Sequence, residues 1–288
     1  MQTTSTPNRE RWTRRAFYRL APRHRAVVLA LGVLLAAATL AAVVAGAEPL
    51  NEARLGPGYD GRAYWEAARG TPYGRQVGVF GAYLYSPAFL QAFALLGALP
   101  WELFLGLWTA IALGALALMV GPLLFAPLLA VAFPEVWGGN IHLLMAAAIV
   151  VGFRWPAAWA FVLLTKVTPG IGLLWFAVRG EWRSLATAVA ATGAVAFASW
   201  LFVPTLWAQW IGVLVSNSAA STVAGSVPIA LEVRLPLAVG VVVYGARRNH
   251  DWLVPIAAML ALPVLWWGGL SMIVGAVALR RRTAETLL

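Results

Sequence analysis

Asp60 is one of only two aspartates in the chain, and its surroundings make it the first candidate for acid–base chemistry. It lies in the longest polar interval after the N-terminal tail, Glu48 to Pro87, whereas Asp251 stands in an arginine-rich segment. An aspartate in a loop can simply be solvated, or it can cap a helix such as one beginning near Arg62. The functional alternative is a general base that takes a proton from a reacting group.

A single positioned carboxylate is sufficient for one type of reaction. In the inverting transfer of a sugar from a phosphate-activated donor, a base takes the proton of the acceptor hydroxyl, and the leaving phosphate needs only cationic or amide partners. The sequence has no cluster of His, Cys and carboxylates with metal-ligand spacing, and it has no Gly-x-Ser-x-Gly or Walker-type loop. We therefore expect neither a metal nor a cofactor, and neither a serine hydrolase nor a nucleotide-driven pump.

Lys166 is the only lysine in the chain and the first candidate for binding the donor phosphate. It stands in a Thr-Lys-Val-Thr-Pro-Gly break within an apolar run. Arg62, in the same polar interval as Asp60, is the second candidate. The competing role for such an arginine is contact with lipid head groups.

The candidates for binding the sugar or the acceptor are aromatic and polar side chains at the ends of apolar segments. Asn140 and His142 open an apolar helix, either as a cap and an interfacial histidine or as a recognition element at a helix N-terminus. Trp266 belongs to a tryptophan pair that suits either a membrane-interface belt or stacking on a sugar ring. Tyr64, inside the first loop, and Tyr85, at its end, complete the set.

The composition indicates an all-α polytopic membrane protein. Hydrophobic residues make up 61% of the 288 positions and charged residues 11%, against roughly 25% charged residues in soluble domains. Apolar runs near the length of a membrane-spanning helix recur along the chain. The net charge of +10 is almost entirely arginine that flanks these runs, which favours cytoplasmic anchoring in a lipid bilayer over nucleic-acid binding. Cysteine is absent, so no disulfide can form.

The arginine distribution predicts the topology. Residues 1–25 form a basic cytoplasmic tail, residues 26–279 a single transmembrane domain, and residues 280–288 a cytoplasmic C-terminus. Within the domain, residues 48–85 and 204–227 form two extracytoplasmic loops. The first apolar run, 26–47, could alternatively be a signal peptide. It is, however, longer than the apolar part of a secretory signal peptide, and more spans follow. We expect a multi-pass protein of the plasma membrane.

Two segments allow alternative paths through the membrane. Residues 121–134 contain three prolines, which predict a half-span or a re-entrant piece rather than one regular helix. Residues 156–178 can cross once, with Lys166 in the bilayer, or go out and return with Lys166 at the outer turn. The second path is favoured, because a lone lysine at the bilayer centre is costly.

Four segments together resemble glycosyltransferase family 87, the actinobacterial membrane mannosyltransferases of the type C fold that use polyprenyl-phosphate mannose. They are Tyr59–Ala68, Tyr83–Phe89, Gly138–Leu144 and Leu163–Gly170, and the resemblance covers roughly residues 26–183 well and the rest loosely. It implies a helical bundle with short broken helices and a functional first extracytoplasmic loop. It also implies that Asp60 is the catalytic base, that Asn140 is the family's polar position, and that Lys166 opens its Lys-x-x-Pro element.

Two functions are therefore expected as alternatives. The first is transfer of a sugar, mannose by the resemblance, from a polyprenyl-phosphate donor to a glycolipid or cell-wall glycan at the outer face. The second is a non-catalytic subunit that binds or transports the lipid-linked sugar. An enzyme should concentrate its polar side chains around Asp60, whereas a transporter should carry a polar path through to the cytoplasmic side.

Overall fold

The computed structural model describes residues 17–47, 56–75, 79–216 and 225–286, and within them every regular element is a helix. Most of the predicted tail and parts of both predicted loops lie outside these residues. In the described residues, three 3₁₀ turns, Pro156–Ala158, Thr168–Leu173 and Trp267–Met272, accompany twelve α-helices. The α-helices are α1 Pro22–Ala45, α2 Tyr59–Ala67, α3 Pro87–Gly97, α4 Trp101–Gly138, α5 His142–Gly152, α6 Trp159–Thr165, α7 Leu174–Val178, α8 Trp182–Phe202, α9 Pro204–Ser216, α10 Leu231–Arg248, α11 Leu253–Leu260 and α12 Ile273–Thr286.

Three of these helices, α1, α4 and α8, are long and apolar enough to cross a membrane. Much of their surface faces outward, as in α1, where Val33 and Leu34 are exposed. Exposed aliphatic side chains along a span indicate contact with lipid rather than with water. The expected all-α polytopic membrane protein is confirmed.

Helix α4 is a hairpin with two helical arms. At Gly121 the backbone takes φ 68° and ψ 176°, a conformation that glycine adopts without strain, and Pro122 starts the second arm. The arms meet again where Trp108 Nε1 donates to the Gly139 carbonyl oxygen at 2.7 Å. The second arm is about 25 Å long. The expected half-span broken by prolines was therefore wrong, because the helix continues through Pro127 and Pro134.

The segment 156–178 reverses direction at Lys166 instead of continuing as one helix, and the side of the membrane on which it turns remains a prediction. Helix α6 ends at Thr165 and Lys166 is extended (φ −138°, ψ 119°), so the chain turns there. The returning segment lies beside α6, since Phe176 contacts Trp159 with ring centroids 6.4 Å apart. Trp175 reaches Phe153 at the far end of α5. The turn consequently brings Lys166 to the start of α5, beside His142.

Arginines from distant segments gather at the opposite end of the bundle. Arg179 Nη1 donates to the Ala246 carbonyl oxygen at 3.2 Å, and Arg280 lies over the Trp252 ring at 5.3 Å. Arg281 donates to the carbonyl oxygen of Val120, next to the turn of the α4 hairpin. We call this the arginine end.

Two segments predicted as surface elements are integrated into the bundle. The first part of the interval 204–227 is helix α9 rather than a loop, and Trp210 Nε1 donates to the Leu84 carbonyl oxygen at 3.1 Å. Residues 217–224 lie outside the described residues. Helix α2, which lies in the predicted first loop, buries Tyr64 to 1% exposure against α3 and α4.

Arg234 organises the irregular backbone where α11 ends. The side chain is 2% exposed, and its guanidinium donates to the carbonyl oxygens of Ile229, Leu260, Leu262 and Pro263 at 2.7–3.1 Å. Non-helical backbone at membrane depth must be hydrogen-bonded within the protein. Arg234 supplies these hydrogen bonds to the backbone just before Trp266 and the turn Trp267–Met272.

Candidate active site

Asp60 stands in the first turn of α2, and glycines bring it close to the end of α4. Gly58 caps α2 with φ 75°, and its N–H donates to the Trp137 carbonyl oxygen at 2.7 Å. Gly61 packs on Gly139, since a Cβ at Gly61 would lie 3.5 Å from the Gly139 carbonyl oxygen. A Cβ at Gly138 would lie 3.1 Å from Asp60 Oδ2. Only backbone this free of side chains can approach so closely.

Asn140 orients the Asp60 carboxylate. Its Oδ1 accepts the Ile141 N–H at 2.7 Å and the Tyr64 hydroxyl at 3.2 Å. Because Oδ1 accepts both bonds, the amide nitrogen is the group that donates to Asp60. The Tyr64 hydroxyl also lies 3.1 Å from that of Tyr85. Tyr64 is therefore a buried support for Asn140.

The environment raises the pKa of Asp60 from 3.8 to about 6. The largest cause is burial, which disfavours the carboxylate, and the negative charge of Glu135 acts in the same direction. The hydrogen bond from Asn140 and the positive charge of Lys166 partly oppose the increase. A carboxylate with a pKa near neutrality is well matched to accepting a proton.

Lys166 ends a chain of three polar side chains that continues into the core. Its Nζ lies 2.7 Å from His142 Nε2, and His142 Nδ1 lies 3.0 Å from Glu135 Oε2. Glu135 Oε1 accepts the Leu143 N–H at 3.2 Å, at the start of α5. The sequence interpretation missed Glu135. The signal that could have found it is an acidic residue inside an apolar helix, which marks a functional site by default.

Accessibility separates the four charged or polar groups into two layers. His142 and Glu135 are 0% and 1% exposed, whereas Asp60 and Lys166 are only partly buried. Asp60 and Lys166 are therefore the partly exposed residues of the site, and His142 and Glu135 are buried behind them.

The remaining candidates occupy the periphery of this arrangement. Tyr85 is buried and faces Lys166, with Nζ 5.8 Å from its ring centroid. Trp266 is partly buried, and two residues later Gly268 packs against Glu135, where a Cβ would lie 2.7 Å from Oε2.

Arg62 makes a separate set of contacts on the other face of α2. Its Nε donates to Glu66 Oε1 at 2.8 Å, and its guanidinium covers the rings of Trp65 and Trp101 at 4.6 and 5.0 Å. None of its contacts in the described residues joins it to Lys166. In the same residues, no three His, Cys, Asp or Glu side chains are grouped as a metal site requires.

The structure is a bundle of helices, several of them apolar enough to cross a membrane, in which a carboxylate and an amine lie in one site. The model of Glycosyltransferase family 87 matches residues 83–288, and the chain belongs to this family. It is a membrane glycosyltransferase. No curated protein and no solved structure matches the chain.

The family match changes the extent of the resemblance seen in the motifs. It begins after α2, so Asp60, Arg62 and Tyr64 precede it, and it continues to the last residue rather than fading after residue 183. Tyr85, Asn140, His142, Lys166 and Trp266 lie within it.

Proposed function

We propose that this glycosyltransferase transfers mannose from a polyprenyl-phosphate donor to a hydroxyl of a glycolipid or cell-wall glycan. The observation that carries the proposal is the pairing of Asp60 with Lys166. The two groups are the partly accessible charges of one site, and Lys166 is close enough to lower the pKa of Asp60. One base and one cation are what the inverting reaction requires.

In this reaction the acceptor oxygen attacks the anomeric carbon of the donor while its proton moves to Asp60. The bond between the anomeric carbon and the phosphate oxygen breaks, and its electron pair stays on the polyprenyl phosphate. Lys166 stabilises the charge that develops on that phosphate. Attack opposite to the leaving group inverts the configuration at the anomeric carbon.

The charge distribution supports a site at the outer face of the plasma membrane. The arginine end and the Asp60–Lys166 site lie at opposite ends of α5, since Trp175 reaches Phe153 at one end and Lys166 meets His142 at the other. Arginine-rich ends of membrane proteins remain in the cytoplasm. The polyprenyl chain would then lie in the bilayer beside the site.

The interior between the two ends favours transfer over transport. Described side chains along this path are buried and apolar, among them Ala146, Ile149, Val274 and Ala278. A transporter would need polar groups there to lead a sugar phosphate across. The non-catalytic binding subunit remains the alternative that activity measurements must decide.

The experiment is transfer of radiolabelled mannose from polyprenyl-phosphate mannose to candidate glycolipid acceptors by the purified protein. Asp60→Asn retains the shape and the hydrogen bond from Asn140 but cannot take the proton. We expect transfer to fall about 10²–10⁴-fold while donor binding stays near the parent value.

Glu66→Gln is the matched control. Glu66 stands in the same helix but pairs with Arg62 and Arg75 away from Asp60, at 2.8 and 3.0 Å. Such partly exposed pairs contribute little, so transfer should stay near the parent rate. Full transfer by Asp60→Asn would contradict the base assignment. Donor binding without transfer in the parent protein would favour the non-catalytic subunit.

A further inference from the structure

Lys166 and the two side chains behind it, His142 and Glu135, form a line with one consistent pattern of donors and acceptors when the amine is protonated and the carboxyl is ionised. An ammonium group has hydrogens to donate and no lone pair, so His142 Nε2 must accept from Lys166. An ionised carboxylate only accepts, so His142 Nδ1 must carry the hydrogen that faces Glu135. The imidazole is then neutral, with its hydrogen on Nδ1.

We propose that Glu135 is a positioning residue that sets the tautomer of His142 and thereby aims Lys166 at the donor phosphate. The inference rests on the proposed function in taking Lys166 as the ligand of that phosphate. Glu135 itself is 1% exposed, so it acts on the donor only through His142.

The surroundings of Glu135 fix its position independently of His142. Oε1 accepts the Leu143 N–H at 3.2 Å, where the partial positive charge at the N-terminus of α5 favours a carboxylate. Gly268 packs directly against Oε2. The carboxylate is therefore a rigid reference for the imidazole.

The line determines what the donor phosphate meets. One of the three hydrogens of Lys166 is directed to His142, and the Tyr85 ring lies on another side, with its centroid 5.8 Å from Nζ. The remaining hydrogens are left for phosphate oxygens. If the hydrogen of His142 were on Nε2 instead, an N–H would face the ammonium group, and Lys166 would have to turn away.

Glu135→Gln tests this with little change of shape. The glutamine oxygen can still accept the Leu143 N–H, but its NH₂ group then faces His142 and requires an acceptor at Nδ1. We expect the hydrogen of His142 to move from Nδ1 to Nε2. The chain has three histidines, so ¹⁵N-histidine labelling gives a spectrum simple enough to show the tautomer of His142.

The consequence for the site is measured by binding of polyprenyl phosphate without sugar. Loss of one hydrogen bond to a charged group should weaken binding about 10- to 100-fold. Glu181→Gln is the control, because Glu181 pairs with Arg179 at the arginine end, at 2.6 Å, and should leave both readouts unchanged. Adding Glu135→Gln to His142→Ala should cost nothing further, because Glu135 would act through a side chain that is already gone.

The two readouts separate this inference from the proposed function. The role of Glu135 would be overturned if His142 in the parent protein carried its hydrogen on Nε2 or were doubly protonated. It would also be overturned if the tautomer of His142 stayed the same in Glu135→Gln. Additive losses in the double variant would do the same, since they indicate a structural effect. If the parent protein does not bind polyprenyl phosphate, the proposed function fails, and the tautomer alone decides what Glu135 does to His142.

Discussion

At the scale of single residues, the candidate site contains two partly exposed charged residues, and each of them contacts one buried polar side chain. Asp60 is held by Asn140, and Lys166 is held by His142. The supporting groups are themselves fixed, Asn140 by Tyr64 and His142 by Glu135. This arrangement holds two groups of opposite charge in defined positions, and it leaves their exposed sides open to a substrate.

The first prediction concerns pH. Asp60 must be ionised to accept a proton, and its pKa is raised to about 6. Transfer should therefore be lost as the pH falls through about 6 and should be complete above it. Asn140→Ala removes a bond that favours the carboxylate, so the acidic limb should move to higher pH.

The measurement is kcat/KM for transfer between about pH 5 and 8, for the parent and for Asn140→Ala. A profile that is flat through this range, or a limb that moves to lower pH in the variant, would show that Asp60 is not the titrating base.

The second prediction compares the two candidates for the donor phosphate. Lys166→Met retains an unbranched side chain of similar length but removes the cation, so binding of polyprenyl phosphate should weaken strongly. Arg62→Met should cost less, because the guanidinium of Arg62 is engaged with Glu66 and two tryptophan rings. Equal losses in the two folded variants would mean that Arg62 also reaches the phosphate.

At the scale of elements, glycines at helix ends determine where the site residues stand. Gly58 and Gly139 both have positive φ, 75° and 67°. Gly139, at the end of α4, packs directly on the start of α2, since a Cβ at Gly139 would lie 3.5 Å from the Cα atoms of both Gly58 and Gly61. This contact joins the first loop to the α4 hairpin. Asp60 and Asn140, each close in sequence to one of these glycines, are brought together by it.

The third prediction tests that contact. In Gly58→Ala the new Cβ would lie 2.7 Å from Leu105 Cδ1 and 2.8 Å from Trp101 Cζ2, at a positive φ. We expect a loss of roughly 1–3 kcal/mol in the free energy of unfolding and reduced transfer, because Asp60 follows two residues later. The unfolding midpoint in detergent and the transfer rate measure both effects.

Gly74→Ala is the matched control, since an added Cβ there meets nothing within 4 Å. It should leave the midpoint and the transfer rate unchanged. If Gly58→Ala is equally neutral, close packing at Gly58 does not position Asp60.

At the scale of the whole molecule, opposite ends of the bundle differ in charge and in function. Arginines from α10, α12 and the segment before α8 meet at one end, and the polar residues of the site meet at the other. Because basic ends of membrane proteins stay in the cytoplasm, this polarity predicts that the site lies at the outer face.

The fourth prediction is the orientation itself. The chain has no cysteine, so single cysteines report without interference. A cysteine at Arg75, in the exposed segment after α2, should react with an impermeant reagent from outside the cell. A cysteine at Arg248, at the end of α10, should react only after permeabilisation. The reverse pattern would place the site on the cytoplasmic side.

The sequence by itself determined the class of the protein and pointed to most residues of the candidate site. Apolar runs and flanking arginines suffice for an all-helical membrane protein, because the bilayer imposes backbone hydrogen bonding on any spanning segment. The scarcity of polar residues in such a chain made Asp60, Asn140, His142 and Lys166 conspicuous. The break at Lys166 was also predictable, since Thr-Pro-Gly cannot continue a helix.

Only the tertiary structure decided how distant segments meet. The return of α4 after Gly121, with two prolines inside the second arm, depends on packing between the arms that local sequence does not encode. That return places Glu135 behind His142, whereas in sequence it is one acidic residue in an apolar stretch. Leaving a buried charge unpaired is energetically unfavourable, so it needs hydrogen-bond donors nearby. Which donors lie near it depends on the tertiary packing, and the local sequence does not show this.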